Sequence, residues 1–378
     1  SRAEIAKKSS ISATTVSSIV DRLIQEELII EEGQASSKGG RKALLLKLNP
    51  EARYLLGFDL GGDDLIGVLA NLQGEVISQE KAPLILPITH QEVLKEIETI
   101  YIKLTQQIDR TKLLGVGVSV PGVVDHRTGC VIYSTKLQWE EEFFLGPSLE
   151  KVLHTKVYVD KNVNNAALAE LWWGKAKDIS NLMYLSIGNG IGSCLVLDGE
   201  IYHGGHGAAG EIGHVPLDWN GPVCRCGNRG CFELMASRRA LISLVRDKLS
   251  AEGVSGDELF QNPDQPKASE IFNAYCHQNR IISEAINNIA VNIALGLIQT
   301  ISLFNPNMII IGGKLIEEGG PEFLELILSH VHTQAANMPL IRSLLKKTQI
   351  VGTSLGEKAS VIGAYVPVLS SFYKIPSP

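Results

Sequence analysis

Four stretches in which apolar strands break at glycine constrain this chain more than any other feature. They are "LLGFDLGGDDLIGVLANLQGEVI" (55–77), "LLGVGVSVPGVVD" (113–125), "LMYLSIGNGIGSCLVLDGEIY" (182–202) and "NMIIIGGKL" (307–315). The first alternates apolar and small residues, turns at Gly61-Gly62 and resumes. It is expected to be strand, turn, strand, and not the strand-to-helix step of a dinucleotide fold. Glycine-rich turns between apolar strands let the backbone close on phosphate oxygens. One such turn is ordinary in any α/β protein. Four, two of them opening the two halves, predict a duplicated lobe with a cleft between, and 378 residues provide the core for it.

The first fifty residues have a different character. They carry a net charge of +2 in a chain whose total is −6, a mildly basic head on an acidic body. "RAEIAKKSSISATTVSSIVDRLIQEELIIEEG" divides into a short helix, a turn and a longer helix. In the longer one Val16, Ile19, Val20, Leu23 and Ile24 form a core-facing stripe behind Ser12 as N-cap. Thr14, Thr15, Ser18 and Arg22 lie on the opposite face, the chemistry a recognition helix presents to phosphates and base edges. "LII" (28–30) and "ALLLKL" (43–48) flank a basic segment with Lys38, Arg41 and Lys42. That is the pattern of a winged helix-turn-helix with Arg41 on the wing. A helical hairpin used for packing, with a solvated loop, is the alternative. A winged domain ordinarily has a helix ahead of this pair, and the chain as given is expected to lack it.

Three of six cysteines, Cys224, Cys226 and Cys231, fall within eight residues, and His214 precedes them by ten. One imidazole and three thiolates form the N/S set of a closed tetrahedral site, so a structural zinc is expected, with unmetallated thiols as the alternative. Cys130, Cys194 and Cys276 are expected as buried small hydrophobes. No apolar run reaches the roughly 18 residues of a membrane span, and the N-terminus lacks a signal-peptide core; cytoplasm is the default. Residues 253–267 are expected as a surface loop, and 283–306 as a long core helix ended by Asn-Pro.

The combination "FDLGGD", "VGVSVPGVVD", "DKNVNNAALAE", "IGNGIGSCLVLDG", "GGHGAAGEIGH" and "CRCGNRGCFE" resembles the ROK family of bacterial sugar kinases and sugar-responsive repressors. The resemblance runs from the head to "LGEKASVIGAY" and implies a two-lobed actin-like (ribonuclease H-like) ATPase fold behind the winged head. The expected domains are 1–50 (head), 51–165 (first lobe), 166–355 (second lobe, with zinc and sugar floor) and 356–378 (a C-terminal helix returning to the first lobe). The head points to the branch that resembles xylose and N-acetylglucosamine repressors.

The departures from the kinase pattern bear on chemistry. Asp63 stands where the kinases' first phosphate motif has threonine, adding an anion where phosphates would lie. Asn189 replaces a threonine in the second phosphate loop. The kinases' Asn-Asp pair, whose aspartate is the base, corresponds to Lys161-Asn162, and an amide cannot remove a proton. Asp59, the family's metal-facing aspartate, is kept. Correspondence with the family implies a sugar site of Asn162, Glu211, His214 and Glu233, with His214 also a zinc ligand. Either glutamate could instead be a solvated surface charge. Lys161 either meets an acidic or phosphorylated ligand or extends outward to solvent; the second is expected. The combined expectation is a sugar-responsive repressor of a carbohydrate operon. It would bind operator DNA as a homodimer or dimer of dimers, with a monosaccharide effector, no bound ATP, no membrane and no kinase activity. The alternatives are an active sugar kinase with a DNA-binding head and a regulator controlled by a protein partner.

Overall fold

The computed structural model describes residues 1–34, 44–257, 259–263 and 266–374. The chain opens with helices α1 (Arg2–Ser9) and α2 (Ala13–Gln25) and the antiparallel hairpin β1 (Ile29–Gln34) and β2 (Leu44–Leu48). Ser12 caps α2 by accepting from the Thr15 amide. Of the expected stripe, Val16 and Val20 are buried, Leu23 and Ile24 are half-buried, and Ile19 is exposed. Ile19 departs from expectation because α1 and the hairpin cover only the Val16–Val20 side of the helix. Arg2 ties the head together through Ser17, Asp21 and Glu31.

Two sheets follow with the same plan. The first contains β3 (Tyr54–Asp59), β4 (Asp64–Asn71), β5 (Val76–Pro83), β6 (Leu113–Val120) and, later in the chain, β9 (Val157–Lys161), in the order β5-β4-β3-β6-β9. Helix α3 (His90–Thr105) covers it, the small hairpin β7 (Val123–Asp125) and β8 (Cys130–Tyr133) projects beside it, and α4 (Leu145–Leu153) leads into β9. Helix α5 (Asn162–Trp172) then carries the chain to the second sheet: β10 (Leu182–Ile187), β11 (Ile191–Leu197), β12 (Glu200–Ile201), then β13 and β14. Helices α6 (Phe232–Ala236), α7 (Arg238–Ala251), α8 (Ala268–Cys276) and α9 (Arg280–Phe304) precede β13 (Met308–Gly312), and α10 (Lys314–Ala335) and α11 (Pro339–Leu345) precede β14 (Gln349–Gly352). Its order is β12-β11-β10-β13-β14. In each sheet the first three strands form an antiparallel meander, and the last two are parallel to the first. The duplication expected from the glycine turns is thus a repeat of topology.

The fourth glycine turn differs from the other three. Gly313, at φ 92°, turns β13 into helix α10, and not into another strand. Helix α9 is long and apolar enough by length and composition to cross a membrane, a test the apolar-run criterion missed. Its apolar residues, Ile282 through Ile301, are nevertheless packed in the second-lobe core between sheet and outer helices. Cys130 and Cys194 are buried as expected, whereas Cys276, at the end of α8, is exposed.

The last helices, α12 (Ala359–Ala364) and α13 (Val366–Tyr373), return to the first sheet. Tyr365, Val368 and Leu369 are buried with Leu55, Val68 and Ala70, and Leu28 and Leu48 of the head pack against the same cluster. Two glycines allow this approach. A Cβ on Gly117 would sit 1.7 Å from the Ala364 carbonyl oxygen, and one on Gly363 1.6 Å from that of Asn165. Helices α5 and α12 therefore lie backbone to backbone where the chain crosses between lobes, α5 running unbroken through residues 165 and 166. The far end of α5 is fixed to the second lobe by the fully buried Glu170. Its carboxylate accepts from the Thr353 and Ser354 hydroxyls (2.5 and 2.9 Å) and from the amides of Ser354 and Lys175.

Candidate functional site

The parallel strands of the first sheet end in a row. Pairing sets Asp59 beside Ser119 and Ser119 beside Asp160, all three buried, at the carboxyl ends of β3, β6 and β9. In open α/β sheets that edge is where ligands sit. Asp59 accepts the Gly61 amide at 2.8 Å. Gly61 also touches Asn162, since a Cβ there would lie 2.9 Å from Asn162 Nδ2 and 3.0 Å from Asp59 Oδ1. Asn162 thus faces the first glycine loop and the aspartate together. It is the first residue of α5, with Lys161 in the cap position, and its Oδ1 accepts from the neighbouring Val163 amide at 3.0 Å.

Lys136, which no motif singled out, lies over that loop. Its ammonium donates to the carbonyl oxygens of Gly61 (2.6 Å), Leu60 (3.4 Å) and Gly62. Burial pushes its pKa down, against the pull of Asp59 and Asp63. Asp63, expected as an added anion where phosphates would lie, pairs across the cleft with Lys314 at the start of α10, Nζ to Oδ2 3.3 Å. Both partners are substantially exposed, so the pair is weak, yet it links the first glycine loop to the start of α10 in the opposite lobe. On the second lobe Arg238 forms a two-pronged pair with Glu318 (2.7 and 3.0 Å) and reaches Asn189 at 3.4 Å.

Burial pushes the Asp59 carboxyl up to about 6. A raised folded pKa means stability that is full below the unfolded value of 3.8 and is lost as pH rises through 6. Asp59→Asn is therefore expected to stabilise the protein by up to about 3 kcal/mol at pH 7.5 and to change little near pH 4. Thermal midpoints of variant and parent at the two pH values check this, and an equal difference at both would refute it.

Lys161 corrects the expectation of an outward lysine. It is 4% exposed, and its ammonium donates to Glu211 Oε1 at 2.5 Å and to the Ala209 carbonyl at 3.2 Å. A β-strand alternates faces, and the last residue of β9 turns inward, where Glu211 compensates its charge. Asp160, one residue earlier, accepts the Lys161 amide (2.7 Å) and Asn164 Nδ2 (2.9 Å) through Oδ1, and its Oδ2 meets His203 Nε2 at 2.9 Å. His203 stacks on His126 of the β7–β8 turn, ring centroids 3.6 Å apart, and burial lowers the His126 pKa. His203 is not among the site residues expected from the sequence. Its signal was the dense glycine in "YHGGHGAAGE", since Gly207, with φ 72°, presses on the Val124 carbonyl, a contact between lobes. His206 is exposed. The loop 202–211 of the second lobe is thus pinned to the first by His203 and Glu211.

Glu211 continues into a 3-10 turn, Ile212–His214, where the His214 amide donates to the Glu211 carbonyl at 3.1 Å. His214, Cys224, Cys226 and Cys231 have their donor atoms within 4.8 Å of one another, with His214 Nδ1 to Cys224 Sγ 3.8 Å and Cys226 Sγ to Cys231 Sγ 3.7 Å. A tetrahedron with bonds of about 2.3 Å has edges of roughly 3.7 Å, so the four residues fit a metal ion. Glu233 is the second residue of α6, the helix after the cluster, and its Oε2 accepts the Ile191 amide at 2.9 Å, beside Gly190 of the second glycine loop. The turn at 211–214, the cluster and this bond hold Glu211, His214 and Glu233 in one connected floor. Val163 against Gly192 sets the start of α5, with Asn162, beside it.

In the head, Thr14, Thr15, Ser18 and Arg22 are all exposed on α2. Among the described residues, Arg22 makes only a 3.7 Å surface pair with Glu26. Arg41 lies outside the described residues, as do Lys38 and Lys42. Two hollows, of about 500 and 530 Å³, lie away from the cleft, the second where Asn49 and Tyr54 join head and first lobe.

Comparison with known proteins bears on the whole of this architecture. The ROK family matches residues 55–370. The putative xylose repressor of Caldicellulosiruptor sp. (strain Rt8B.4) is 33% identical over 379 residues, which cover 100% of this chain and 93% of the relative. Among solved structures, a ROK family transcriptional regulator, a homologue of the E. coli MLC protein, aligns with 99% of this chain and 92% of its own, at TM-score 0.81 and 26% identity. A ROK family glucokinase from Streptomyces griseus, in complex with glucose and AMPPNP, aligns with 82% of this chain and 98% of its own, at TM-score 0.70 and 24% identity, a likeness of fold. The fold is accordingly the winged head followed by the two-lobed actin-like body. The chain belongs to the ROK family.

Proposed function

We propose that the protein is a sugar-responsive transcriptional repressor of carbohydrate utilisation. It would bind operator DNA through the winged head and a monosaccharide in the cleft, and it would have no kinase activity. The observation that carries this is the union of two features in one chain. A recognition helix presents an exposed polar face, and its hairpin packs through Leu28 and Leu48 into the first-lobe cluster that also seats α12 and α13. Glu27 adds a 3.0 Å pair with Lys112, and Asn49 donates to the Glu27 carbonyl. A change at the lobe boundary therefore has a packed route to the head. The names of the relatives, a xylose repressor and a transcriptional regulator, support the same conclusion.

In this mechanism Thr14, Thr15, Ser18 and Arg22 meet the major groove, with Arg41 at the wing. Asn162, Glu211, His214 and Glu233 hold the sugar. His214, Cys224, Cys226 and Cys231 bind a structural zinc, which keeps His214 Nδ1 occupied and its other ring nitrogen available to a hydroxyl. With four protein ligands, the metal has no open position for water. A sugar hydroxyl set across Lys161 and Glu211 would bond to both ends of a pair that ties loop 202–211 to the first lobe, beside the pair of His203 with Asp160. The sugar then favours a different lobe arrangement, provided its affinity for the two arrangements differs. One head reads a half-site, so a homodimer or dimer of dimers is part of the proposal.

DNA selected from a random pool by the purified protein, then titrated by fluorescence anisotropy with and without sugars, tests this. Arg22→Ala is expected to weaken binding roughly 10-fold or more, and one sugar to shift operator affinity. Selection of no sequence refutes the repressor. A sequence bound equally with every sugar, together with recovery of one stoichiometric protein partner, favours control by that partner instead.

A further inference from the structure

We propose that the Lys161–Glu211 pair makes the cleft selective for an uncharged monosaccharide over one carrying a phosphate or carboxylate. The inference deepens the effector assignment above and rests on it. Lys161 is buried, and two of its three N–H donors go to Glu211 Oε1 and the Ala209 carbonyl. Among the described residues, the third N–H and Glu211 Oε2 have no protein partner. A hydroxyl set across the pair can accept from Nζ and donate to Oε2, leaving the ion pair intact. A phosphate or carboxylate accepts but does not donate at neutral pH, and it would meet Glu211 with a like charge.

The surrounding charges point the same way. Asp160 adjoins Lys161, Asp59 stands in the same strand-end row, and Glu233 closes the floor. Lys136 donates to the carbonyls of the 60–62 loop, and the His203 ring lies against Asp160 and the His126 face. An ammonium meant for an anionic ligand would have no internal carboxylate at 2.5 Å. In this site the lysine's charge is spent before any ligand arrives, and an added anion inherits repulsion that water does not fully screen.

Calorimetric titration of the full chain with D-xylose, D-glucose and N-acetyl-D-glucosamine, and with glucose 6-phosphate, N-acetylglucosamine 6-phosphate and D-glucuronate, tests the proposal. The best neutral sugar is expected to bind at least about 100-fold more tightly than its charged counterpart. Glu211→Gln frees the ammonium and is expected to narrow that ratio at least about 10-fold. Lys161→Met, checked for folding by its thermal midpoint, is expected to weaken the neutral sugar without admitting the charged one. A charged sugar that binds as tightly as its neutral counterpart overturns the selectivity while leaving the effector assignment standing, as does an unchanged ratio in Glu211→Gln. Failure of every probe, neutral and charged, overturns both.

Discussion

Removing metal from the His214, Cys224, Cys226 and Cys231 cluster is expected to lower the thermal midpoint by roughly 6 °C, as follows from a loss of about 5 kcal/mol against an unfolding entropy of about 2.1 cal/mol/K per residue in a chain of 378 residues. The cluster joins His214 to three cysteines of the irregular excursion that follows it. Residues 215–231 are otherwise held by the isolated bridges of Pro216 with Cys231 and Val223 with Arg229, by turn bonds such as the Leu217 amide to the Gly230 carbonyl at 2.8 Å, and by Leu217 against the core. Immediately after it, Phe232 is buried against α9, where a Cβ on Gly296 would lie 2.4 Å from its ring. Loss of the metal therefore frees the excursion and loosens the anchor of α6, with Glu233 on it. The thiols alone do not compensate. Burial pushes Cys231 up to about 12, and neighbouring sulfurs add to the effect, so a metal-free cluster keeps a proton where a dication would take a thiolate. Calorimetry with and without a strong chelator, and elemental analysis for one zinc per chain, check this. Cys226→Ser provides a second route, because Cys226 is exposed and its loss disturbs little packing. A chelator that strips the metal and leaves the midpoint unmoved would show the cluster to be dispensable.

What the sequence made legible was what local chemistry decides. The glycine turns at 61–62 and 188–190 announced strand pairs, Ser12 announced the start of α2, and the histidine and three cysteines announced one another by spacing. What it hid depends on contacts between distant segments. Lys161 looks like any lysine at a strand end until Glu211, fifty positions later, is folded onto it. Lys136 reaches a loop 74 to 76 residues earlier in the chain, and Asp63 finds Lys314 in the opposite lobe. The exposure of Ile19 has the same origin, since a helical stripe specifies a face to be covered and not what covers it. Charge compensation in particular is invisible to pattern, because it is a property of pairs.

Sugar phosphorylation by the unaltered protein with Mg-ATP is expected to fall at least about 100-fold below that of a kinase with an aspartate at position 162, the usual contribution of a positioned general base. Asn162→Asp alone is expected to recover less than about 10-fold of it. The geometry explains why one substitution would not suffice. A new carboxylate at 162 would face Asp59 across Gly61, and each would hinder ionisation of the other. The loop carbonyls beside them are already bonded to Lys136, whose tethered ammonium lies next to the aspartate that the family resemblance assigns to the metal. Asp63, on the first glycine loop, is paired with Lys314 at the start of α10. The family resemblance assigns departures to the base (Asn162) and to both phosphate motifs (Asp63 and Asn189), and the effects of groups that act as one unit do not add. A coupled assay for ADP with each sugar that binds measures both rates. Turnover by the unaltered protein would identify a kinase with a DNA-binding head, and a rise of 100-fold or more in Asn162→Asp would show that only the base had been lost.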